Sequence, residues 1–587
     1  MRISFSLAGS LFFLCSVFAQ NSTSTSPILS SEVDTFIQDL LKEWGTPGGV
    51  SVATVRLGGS GEWEVETKGY GVARLQDGAN FTADTLLSIC SNSKLFNVVA
   101  TGLLVSNESV TPKIDWTTKI ASVIPEWEIM DSYASEKASI IDLMSHRTGL
   151  PRHDNMYQRG DTLPLMMERM KFLKPSAEFR DTWQYTNHMY NVLAYLPEVL
   201  STKTTLARYV KQHIFDALGM NTTTYSFDVA NASGNLADGI ARENFSMATG
   251  LPGTGTPRFM PFWYKEGGED GSVMAGSCGV ISSANDVAIW LQTLLLGGKH
   301  PQTGEQVIPT EVLERLAIGV TIPIPLPTQP VLSPTVYGGG LMMNSYRGHN
   351  VIEHAGDTYG AHTQVTRLPS DNVGIAVLTN DEDVGQSIRD IIRYRLIDEA
   401  LGLEPYDWNS VYKNVSNSTG DANPADNSFL PTNTSDPSIE LTSLAGTYNN
   451  PGYGNWTFCL ISEEATESCR ELAANASTFI PGFDFTIPTL LAKSNAIVAG
   501  SYILLAHSDG NKFDGLPILS SPTNDPEQPF WAKGLSPFKA EFAETDDGIG
   551  MALNGNFWGA TPGVPDPTGD SVEERAEVWF RQVAPSA

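Results

Sequence analysis

The sequence predicts a mixed α/β fold of the α+β type, in which helices flank one antiparallel sheet, followed by a smaller all-β domain. Three observations predict it. Strand-like segments form two groups, near residues 48–72 and 340–380, and a long region of helices and loops separates them. Helical segments precede the first group and follow the second. Beyond residue 440, short strand-like runs alternate with Gly, Asn and Pro, and 587 residues are enough for more than one domain.

The elements follow in chain order. Ser31 opens a helix whose apolar residues share one face: Val33, Phe36, Ile37, Leu40 and Leu41. Two strands joined by a Gly-rich turn come next, "GGVSVATVRL" and "GEWEVETKGYGV". Four shorter strands follow the helical region, "GGGLMMNSY", "NVIEHAG", "AHTQVTRLP" and "NVGIAVLTN", and then a helix, "VGQSIRDIIRYRLIDEALG". We expect the terminal helices to pack on one face of a single antiparallel sheet, with a helical domain inserted between its strands.

Composition divides the chain into four segments. Residues 1–19 have the pattern of a signal peptide, and residues 20–405 hold the predicted sheet and its helices. Residues 406–440, which include "YKNVSNSTGDANPADNSFLPTNTSDPS", are mostly small, polar and Pro-rich and predict a glycosylated linker. Residues 441–587 are predicted to form an all-β domain of the size of a sandwich or small barrel.

The N-terminus and the acceptor sites predict a secreted, extracellular protein. Arg2 precedes an apolar run of signal-peptide length that ends at Ala19; a buried N-terminal helix is the alternative. No later run approaches about 20 apolar residues, so we expect no membrane span. Asn-x-Ser/Thr acceptors are numerous, as in glycosylated eukaryotic proteins. They occur at Asn21, Asn80, Asn107, Asn221, Asn231, Asn244, Asn414, Asn417, Asn433, Asn455 and Asn475.

Charge and histidine content limit the partners. The net charge is −29, and an anionic surface repels a polyanion, so no nucleic-acid partner is expected. No His-Glu-x-x-His motif occurs and the histidines are scattered, so we predict neither a metal site nor a cofactor. The expected partner is a small-molecule or peptide substrate, and the oligomeric state is not predicted.

Four cysteines would remain after removal of the signal peptide, an even number in an oxidising compartment. Cys459 and Cys469 are close enough in sequence to staple a hairpin, and we predict a disulfide between them. Cys90 is expected either to be buried or to be bridged to Cys278. A thiol nucleophile at Cys90 would need a histidine base, and the neighbouring sequence offers none.

The stretch "TLLSICSNSKLFNVVATGLLV" holds the first candidate for catalysis. Ser91 precedes an apolar helical run, and Lys94 follows one turn later on the same face. A serine hydroxyl is a poor nucleophile until a base takes its proton, and a lysine with a lowered pKa can be that base. A helix start also supplies N–H groups for an oxyanion. A capping serine beside a surface lysine would give the same pattern, and Ser88 and Ser93 are expected to have only structural roles.

Two further motifs follow in order. "WQYTNHMYNVLAYL" places Tyr185 and Asn187 at the start of a helix, and "VIEHAGDTYGAHTQV" places His354 and Gly356 at a strand end, where a glycine lets a ligand approach the backbone. Ser-x-x-Lys, Tyr-x-Asn and His-x-Gly in this order resemble the serine β-lactamase and penicillin-binding-protein superfamily. The pattern is most similar to class C β-lactamases and D-alanyl carboxypeptidases. The resemblance covers about residues 30–402, including "IIDLMSHRTGLPRHD" and "MAGSCGVISSANDVAIWLQTLLLGG" near the family's site.

The resemblance implies a β-lactamase/transpeptidase-like fold and a serine hydrolase that forms an acyl-enzyme on Ser91. Lys94 would deprotonate Ser91 or share the proton with Tyr185. Tyr185 would protonate the leaving group and activate water for deacylation. Asn187 would hold Lys94 and hydrogen-bond the substrate, and the N–H groups of Ser91 and Asp357 would form the oxyanion hole. Without the other motifs, Tyr185 would be interpreted as an aromatic residue at a helix start and Asn187 as a helix cap.

His354 stands where many relatives carry lysine. A lysine stays charged at any working pH, whereas a histidine with an ordinary pKa near ~6.5 is charged only in mildly acidic solution. We therefore expect a preference for neutral or weakly anionic esters and amides over penicillins at neutral pH. If His354 only fills the end of the strand, it will not respond to substrate charge.

Other functions stay open. Ser277 in "AGSCG" resembles the nucleophile elbow of an α/β-hydrolase, but the preceding "YKEGGEDGSVM" is not the buried strand that an elbow needs. A protein that keeps the fold but only binds is another alternative, and a β-lactamase or D-aminopeptidase proper is a third. The choice among ester, lactone and amide substrates depends on loops such as "RENFSMATGLPGTGTPRFMPFWYKEGGEDG". The aromatic residues of this loop either line an apolar acyl pocket or only pack against the rest of the protein. They are Phe259, Phe262, Trp263 and Tyr264.

Overall fold

A computed structural model describes residues 26–200, 202–243, 255–420, 435–462, 465–498 and 500–583. The predicted signal peptide and the acceptors Asn21, Asn244 and Asn433 lie outside these residues, and for Asn417 only the backbone is described. Most of the other acceptor positions are exposed and Asn475 is half-buried; the exposed ones are Asn80, Asn107, Asn221, Asn231, Asn414 and Asn455. Within the described ranges, no helix has the length and apolar character needed to cross a bilayer.

One eight-stranded antiparallel sheet forms the centre of the first domain, residues 26–420. Its strands lie in the spatial order Trp63–Gly71, Gly49–Leu57, Val373–Thr379, Ala361–Leu368, His349–Thr358, Met342–Tyr346, Thr335–Tyr337 and Thr321–Ile324. The six strands predicted from sequence all belong to it. Helices cover both faces, so Gly49–Leu57 and Val373–Thr379 are buried almost throughout their length.

The terminal helices Ser31–Glu43 and Gly385–Leu401 pack on one face of this sheet, as predicted. Ser30 begins the first of them because its Oγ accepts the N–H of Val33 at 3.3 Å. The apolar face of that helix then buries Val33, Ile37 and Leu40 against the sheet. The sheet is therefore closed on this side, and the ligand-accessible side must lie elsewhere.

The inserted region lies on the opposite face. Its helices are Ser93–Ser106, Ser132–Lys137, Ile140–Met144, Leu163–Met170, Asn187–Leu193, Leu196–Val199, Leu206–Val210, Asp216–Leu218, Phe227–Ala232, Ala275–Cys278, Ala284–Leu295 and Thr310–Leu316. A π-helical turn, Lys211–Phe215, and two short strand pairs complete it: Leu87–Ser88 with Ile281–Ser282, and Gly239–Arg242 with Pro257–Met260. Ser93–Ser106 is buried on nearly all sides, and Phe96 stacks on Trp290 with ring centroids 4.4 Å apart.

The predicted linker contains a helix near its start. Trp408–Gly420 lies inside the segment 406–440 that the composition assigned to a glycosylated linker. The helix is fixed by Trp408, which is buried and stacks on Tyr394 with ring centroids 3.9 Å apart. One large aromatic side chain anchors an otherwise polar segment, and composition averaged over the segment does not reveal it. Residues 421–434 lie outside the described residues.

The C-terminal domain is a closed eight-stranded antiparallel barrel, which confirms the predicted all-β domain. Its strands follow one another around the barrel in chain order: Gly446–Asn450, Gly454–Ile461, Thr489–Lys493, Tyr502–Asp509, Lys512–Pro522, Phe538–Thr545, Gly548–Asn554 and Val578–Gln582. Phe530–Gly534 pairs with Lys512–Pro522 as an additional strand. Short helices Leu441–Leu444 and Arg470–Phe479 accompany the barrel. Cys459 and Cys469 form a disulfide with Cα atoms 5.5 Å apart, which joins a strand to the start of the second helix.

The barrel is attached to the first domain by specific contacts. The N–H of His153 donates to the carbonyl oxygen of Trp558 at 2.8 Å, and Nδ1 of His153 lies 2.7 Å from the hydroxyl of Tyr453. Elsewhere, the Lys533 ammonium lies 2.7 Å from the Asp383 carboxylate. These contacts bring the barrel next to the segment that follows His146 and next to the end of the central sheet.

Candidate active site

Ser91 lies in a tight turn, Cys90–Asn92, immediately before the helix Ser93–Ser106. Cys90 has a φ of 40°, in the left-handed region that L-residues rarely adopt, so surrounding contacts must hold this turn. Ser93 Oγ accepts the N–H of Val280 at 2.9 Å, which ties the helix start to the neighbouring loop. Ser88 Oγ accepts the N–H of Cys90 at 3.4 Å. Both flanking serines therefore have structural contacts, and Ser91 is the hydroxyl left for chemistry.

Lys94 is fully buried and its Nζ makes three short contacts. It lies 2.9 Å from Ser91 Oγ, 2.8 Å from Asn187 Oδ1 and 3.1 Å from the carbonyl oxygen of Ser277. Burial lowers the pKa of Lys94, which favours the neutral amine. A neutral amine has two N–H groups and one lone pair. Nζ donates to the acceptor oxygens of Asn187 and Ser277 and also to Ser91 Oγ. Loss of one proton from Nζ would leave its lone pair toward Ser91.

Asn187 is held in the orientation that this arrangement requires. Its Nδ2 donates to Asp154 Oδ1 at 2.9 Å, and a carboxylate can only accept, so Oδ1 of Asn187 must face Lys94. The other oxygen of Asp154 accepts from Nε of Arg152 at 2.7 Å. The Tyr-x-Asn and Ser-x-x-Lys motifs therefore meet directly, and a carboxylate and an arginine support them from behind.

Tyr185 completes the group around the nucleophile. Its hydroxyl lies 2.6 Å from Ser91 Oγ. Burial raises the pKa of Tyr185 well above its ordinary value, although the positive charge of Arg152 opposes this effect. The phenol therefore keeps its proton. Ser91 Oγ lies between this phenol and Nζ of Lys94, which donates to it.

His354 is buried at the strand end, and protein groups engage both of its ring nitrogens. The N–H of Thr186 donates to Nδ1 of His146 at 3.2 Å, so Nε2–H of His146 donates to the hydroxyl of Tyr337 at 3.2 Å. That hydroxyl then donates to Nε2 of His354 at 3.0 Å, and Nδ1–H of His354 donates to the carbonyl oxygen of Ala355 at 2.6 Å. Burial lowers the pKa of His354 to about 4, so the imidazole is neutral near pH 7.

The strand that carries Gly356 and Asp357 passes close to the nucleophile turn. A Cβ atom at Gly356 would lie 2.1 Å from the carbonyl oxygen of Ile89, so only glycine fits. Pairing with Met342–Tyr346 ends at Glu353, which leaves this edge of the strand facing the turn. The carbonyl oxygen of Asp357 lies 3.0 Å from Cys90 Sγ. The N–H and C=O groups of one strand residue point to the same edge, so the N–H of Asp357 also faces the turn, as an oxyanion-hole donor must.

The side chain of Asp357 is held by two bases. Its Oδ1 accepts from Arg389 Nη1 at 2.6 Å and from Nδ1 of His362 at 2.8 Å. Burial alone would raise the pKa of Asp357, but these two contacts outweigh burial and hold the pKa below its ordinary value. The charge of Arg389 is therefore already compensated within the protein.

Cys90 and Cys278 meet beside the nucleophile. Their sulfur atoms lie 2.7 Å apart as buried free thiols, and Cys278 Sγ lies 3.9 Å from Ser91 Oγ. The contact with Cys90 lowers the pKa of Cys278 to about 7, whereas burial raises the pKa of Cys90. The sequence left burial and bridging open, and the structure brings the two sulfurs together without a bond.

The alternative nucleophile at Ser277 does not fit the structure. Ser277 is fully buried in the short helix Ala275–Cys278, and its Oγ donates to the carbonyl oxygen of Met274 at 3.3 Å. It does not follow a buried strand, and its contribution to the site is the carbonyl oxygen that accepts from Lys94. In the described part of the chain, no cluster of three His, Cys, Asp or Glu side chains is arranged to hold a metal ion.

Two clefts are lined in part by residues near the site: Ser88 lines the first, and Arg152 and Asp154 line the second. One, of about 410 Å³, is lined by Phe259, Phe262 and Trp263 from the predicted pocket loop, and Tyr264 does not line it. The other, of about 770 Å³, lies between the two domains, and its lining includes Arg152 and Trp558. The first cleft is more aromatic, and the second carries several charged side chains.

Sequence reasoning missed four residues around the site: Arg152, Asp154, His146 and Tyr337. Three of them lie in or beside "SHRTGLPRHD", a segment already noted for its similarity to the family, but its letters do not show which side chains turn inward. Tyr337 follows a Pro-rich stretch and has no local signal at all.

The contacts of Ser91 with Lys94 and Tyr185 identify the class of protein, because a serine with a buried amine base at the edge of such a sheet defines a serine hydrolase of β-lactamase-like fold. The chain belongs to the Beta-lactamase family, whose sequence profile matches residues 33–399. This confirms the resemblance that the three motifs indicated.

Named relatives extend the comparison. The chain is 29% identical over 439 residues to the unguisins hydrolase ungD' of Aspergillus campestris, covering 72% of this chain and 76% of the relative. It is 26% identical over 511 residues to the unguisins hydrolase ungD of Aspergillus violaceofuscus, covering 81% and 86%. Among solved structures, the octameric penicillin-binding protein homologue from Pyrococcus abyssi has 17% identity and a TM-score of 0.51, and the match covers 89% of this chain and 97% of that one. At this identity the last match shows the fold alone.

Proposed function

We propose that this protein is a secreted serine hydrolase that cleaves an ester, lactone or amide bond of a small molecule or peptide through an acyl-enzyme on Ser91. One observation carries the proposal. Ser91 Oγ lies 2.9 Å from the buried Nζ of Lys94 and 2.6 Å from the hydroxyl of Tyr185. A base and an acid in contact with the same hydroxyl are what acyl transfer to a serine requires.

Acylation starts from these two contacts with Lys94 as the neutral amine, the form that its lowered pKa favours. Lys94 takes the proton of Ser91 while Oγ attacks the substrate carbonyl carbon. The carbonyl oxygen becomes an oxyanion, which the N–H groups of Ser91 and Asp357 stabilise. Tyr185 gives its proton to the leaving group as the scissile bond breaks, and the lysinium of Lys94 restores the proton on Tyr185. The proton of Ser91 thereby ends on the leaving group.

Deacylation uses the same groups in reverse. Water takes the place of the leaving group, and Tyr185 accepts its proton while passing its own to neutral Lys94. The hydroxide attacks the acyl carbon, the bond to Ser91 Oγ breaks, and Lys94 returns a proton to that oxygen. Asn187 keeps the amine in place through both half-reactions, because its amide is fixed by Asp154.

The relatives suggest the first compounds to test. Both are named as hydrolases of unguisins, so we propose that a compound of that class is a substrate here as well. The cleft of about 410 Å³ with Phe259, Phe262 and Trp263 supports an apolar group on the substrate, since aromatic side chains contribute large buried apolar areas.

Secretion is part of the same proposal. The Cys459–Cys469 disulfide and the exposed acceptor asparagines support it, because disulfides persist in oxidising compartments. The signal peptide itself lies outside the described residues. N-terminal sequencing of the protein secreted by a eukaryotic host tests this point, and a mature chain that still begins at Met1 would overturn it.

A covalent probe tests the chemistry. A fluorophosphonate should label the wild-type protein on Ser91, with the adduct located by peptide mass mapping, and Ser91→Ala should not react. Hydrolysis of aryl esters, lactones, D-amino-acid amides, unguisins and a chromogenic cephalosporin should then define the preferred bond. An adduct on Ser277 or Cys90, or no adduct together with no hydrolysis, would contradict the proposal.

A further inference from the structure

We propose that Arg152 is the specificity-determining cation of this site and binds a carboxylate of the substrate in the cleft between the two domains. The inference rests on the proposed hydrolase function and goes beyond it, because it names the substrate class: an acyl compound or peptide that carries a carboxylate. The sequence analysis had instead considered His354 as the residue that responds to substrate charge.

The other basic groups in the described residues around the site are already engaged. Lys94 is buried between Ser91, Asn187 and a carbonyl oxygen. Both ring nitrogens of His354 have protein partners. Arg389 is bound to Asp357, and Lys533 lies 2.7 Å from Asp383. These side chains are also buried, so they present no exposed cation to a ligand, whereas Arg152, although paired with Asp154, is exposed.

Arg152 differs from them in its free donors. Nε donates to Asp154, whereas neither Nη1 nor Nη2 has a hydrogen-bond partner among the residues that the structure describes. The side chain is 45% exposed and lines the cleft of about 770 Å³. The planar fork of a guanidinium matches the two oxygens of a carboxylate. Asp154 fixes one end of the group and leaves the outer pair of nitrogens for a ligand.

The position of Arg152 connects this cleft to the reacting atoms. The guanidinium carbon lies 5.0 Å from the centre of the Tyr185 ring, and the hydroxyl of that ring lies 2.6 Å from Ser91 Oγ. A carboxylate on Nη1 and Nη2 is thus within one small molecule's length of the nucleophile, so it can belong to the molecule whose carbonyl group reaches Ser91.

The barrel holds Arg152 in place. The N–H of Arg152 lies 3.4 Å from the carbonyl oxygen of Gly559, and the next N–H, of His153, donates to Trp558. Gly559 has a φ of 70°, and a Cβ atom there would lie 2.7 Å from Cβ of Arg152. The loop therefore packs directly on the stem of the arginine. A cation that is ordered before the ligand arrives loses less entropy on binding.

The test compares two esters that differ only in the terminal group. Mono-p-nitrophenyl adipate carries a carboxylate where p-nitrophenyl hexanoate carries a methyl group. Arg152→Met should lower kcat/KM for the adipate ester about 10- to 100-fold more than for the hexanoate ester, as expected for loss of a charged hydrogen bond. Arg152→Lys keeps a positive charge and should therefore retain part of the preference for the adipate ester over the hexanoate ester. Arg159→Met, an exposed arginine on the same segment, is the control and should change neither value.

If Arg152 had only a structural role, Arg152→Met would lower kcat/KM equally for both esters. An unchanged ratio of kcat/KM for the adipate ester to kcat/KM for the hexanoate ester in Arg152→Met therefore overturns the proposal. A binding measurement separates this result from failure of the hydrolase function. Calorimetric titration of Ser91→Ala with monomethyl adipate should show binding that the Ser91→Ala/Arg152→Met protein has lost. Equal binding by both proteins, or by neither, also overturns it, whether or not the wild-type protein turns over the esters.

Discussion

The hydroxyl of Tyr337 lies 3.0 Å from Nε2 of His354 and donates to it. The imidazole is consequently an acceptor within the protein, and its pKa of about 4 keeps it neutral above mildly acidic pH. The sequence had led us to expect that His354 is charged in mildly acidic solution, as a histidine with an ordinary pKa near ~6.5 would be, and its lowered pKa does not fit that expectation. At the position where many relatives carry a lysine, this protein has the neutral, hydrogen-bonded imidazole of His354.

The first prediction concerns pH. The kcat/KM ratio of the adipate and hexanoate esters should stay flat between about pH 5 and 8, because a histidine with a pKa of about 4 does not titrate there. His354→Gln, which is neutral at every pH, should give the same flat ratio. A wild-type ratio that falls as pH rises through about 6.5 would restore His354 as the group that reads substrate charge.

Substitution of the nucleophile should abolish hydrolysis. Ser91→Ala removes the attacking oxygen and is expected to lose all acyl-adduct formation while the fold persists, since a hydroxyl at a helix start contributes at most about 2 kcal/mol. Ser93→Ala is the matched control, because Ser93 Oγ only accepts from Val280. Lys94→Ala and Tyr185→Phe should each lose orders of magnitude in turnover. Near-normal turnover in Ser91→Ala would assign the chemistry elsewhere.

The acid limb of the pH profile should report Lys94. Only the neutral amine can accept the proton of Ser91, so kcat/KM for the hexanoate ester should rise with pH as Lys94 loses its proton. Burial lowers the pKa of Lys94, and the positive charge of Arg152 lowers it further. Removal of that charge in Arg152→Met should raise the pKa and shift the limb to higher pH. Arg159→Met is the control and should leave the acid limb of the pH profile in place. If Arg152→Met also leaves it in place, Arg152 does not influence the pKa of Lys94.

The barrel disulfide should contribute to stability. Cys459 and Cys469 enclose a short loop, for which closure by a disulfide gives about 2–3 kcal/mol. The Cys459→Ser/Cys469→Ser double variant should lower the free energy of barrel unfolding by this amount, measured by denaturant titration. Free Cys459 in wild-type protein recovered from an oxidising medium would exclude the bridge.

Cys90 and Cys278 should be linked in protein recovered from an oxidising medium. Their sulfurs already lie 2.7 Å apart, so a bond between them needs little movement. Non-reducing peptide mapping should find the pair joined, and Cys278→Ser should leave Cys90 free. Two alkylatable thiols in the unfolded wild-type protein would show that burial kept them reduced.

Part of the site could be predicted from sequence because each motif lies within a single element. Ser91 and Lys94 share a helix start, and Tyr185 and Asn187 share another, so spacing alone relates them. The contact of Arg152 with Tyr185 depends on how a loop folds between elements. No periodic pattern in the sequence predicts that contact. The contact between Tyr337 and His354 could not be predicted for the same reason.

In the fold, too, some elements could be predicted from the sequence and others could not. Long strands such as Gly49–Leu57 are rich in valine, are buried almost throughout and were predicted correctly. Thr321–Ile324 and Thr335–Tyr337 were not predicted, because they lie in a Pro-rich stretch that argues against strands. They occupy the outer end of the sheet, where proline is tolerated. Neighbouring strands, which local composition does not encode, decide their structure.

Closure of the barrel has a consequence for synthesis of the enzyme. Val578–Gln582 emerges from the ribosome last of the eight barrel strands, yet it pairs with Gly446–Asn450, which emerges first. Until then, two strand edges lack partners. Glu577, just before that last strand, accepts the N–H of Trp558 at 3.1 Å and so supports the loop against Arg152. A nascent chain thus carries its complete nucleophile long before the loop that packs on Arg152 has the strand that supports it.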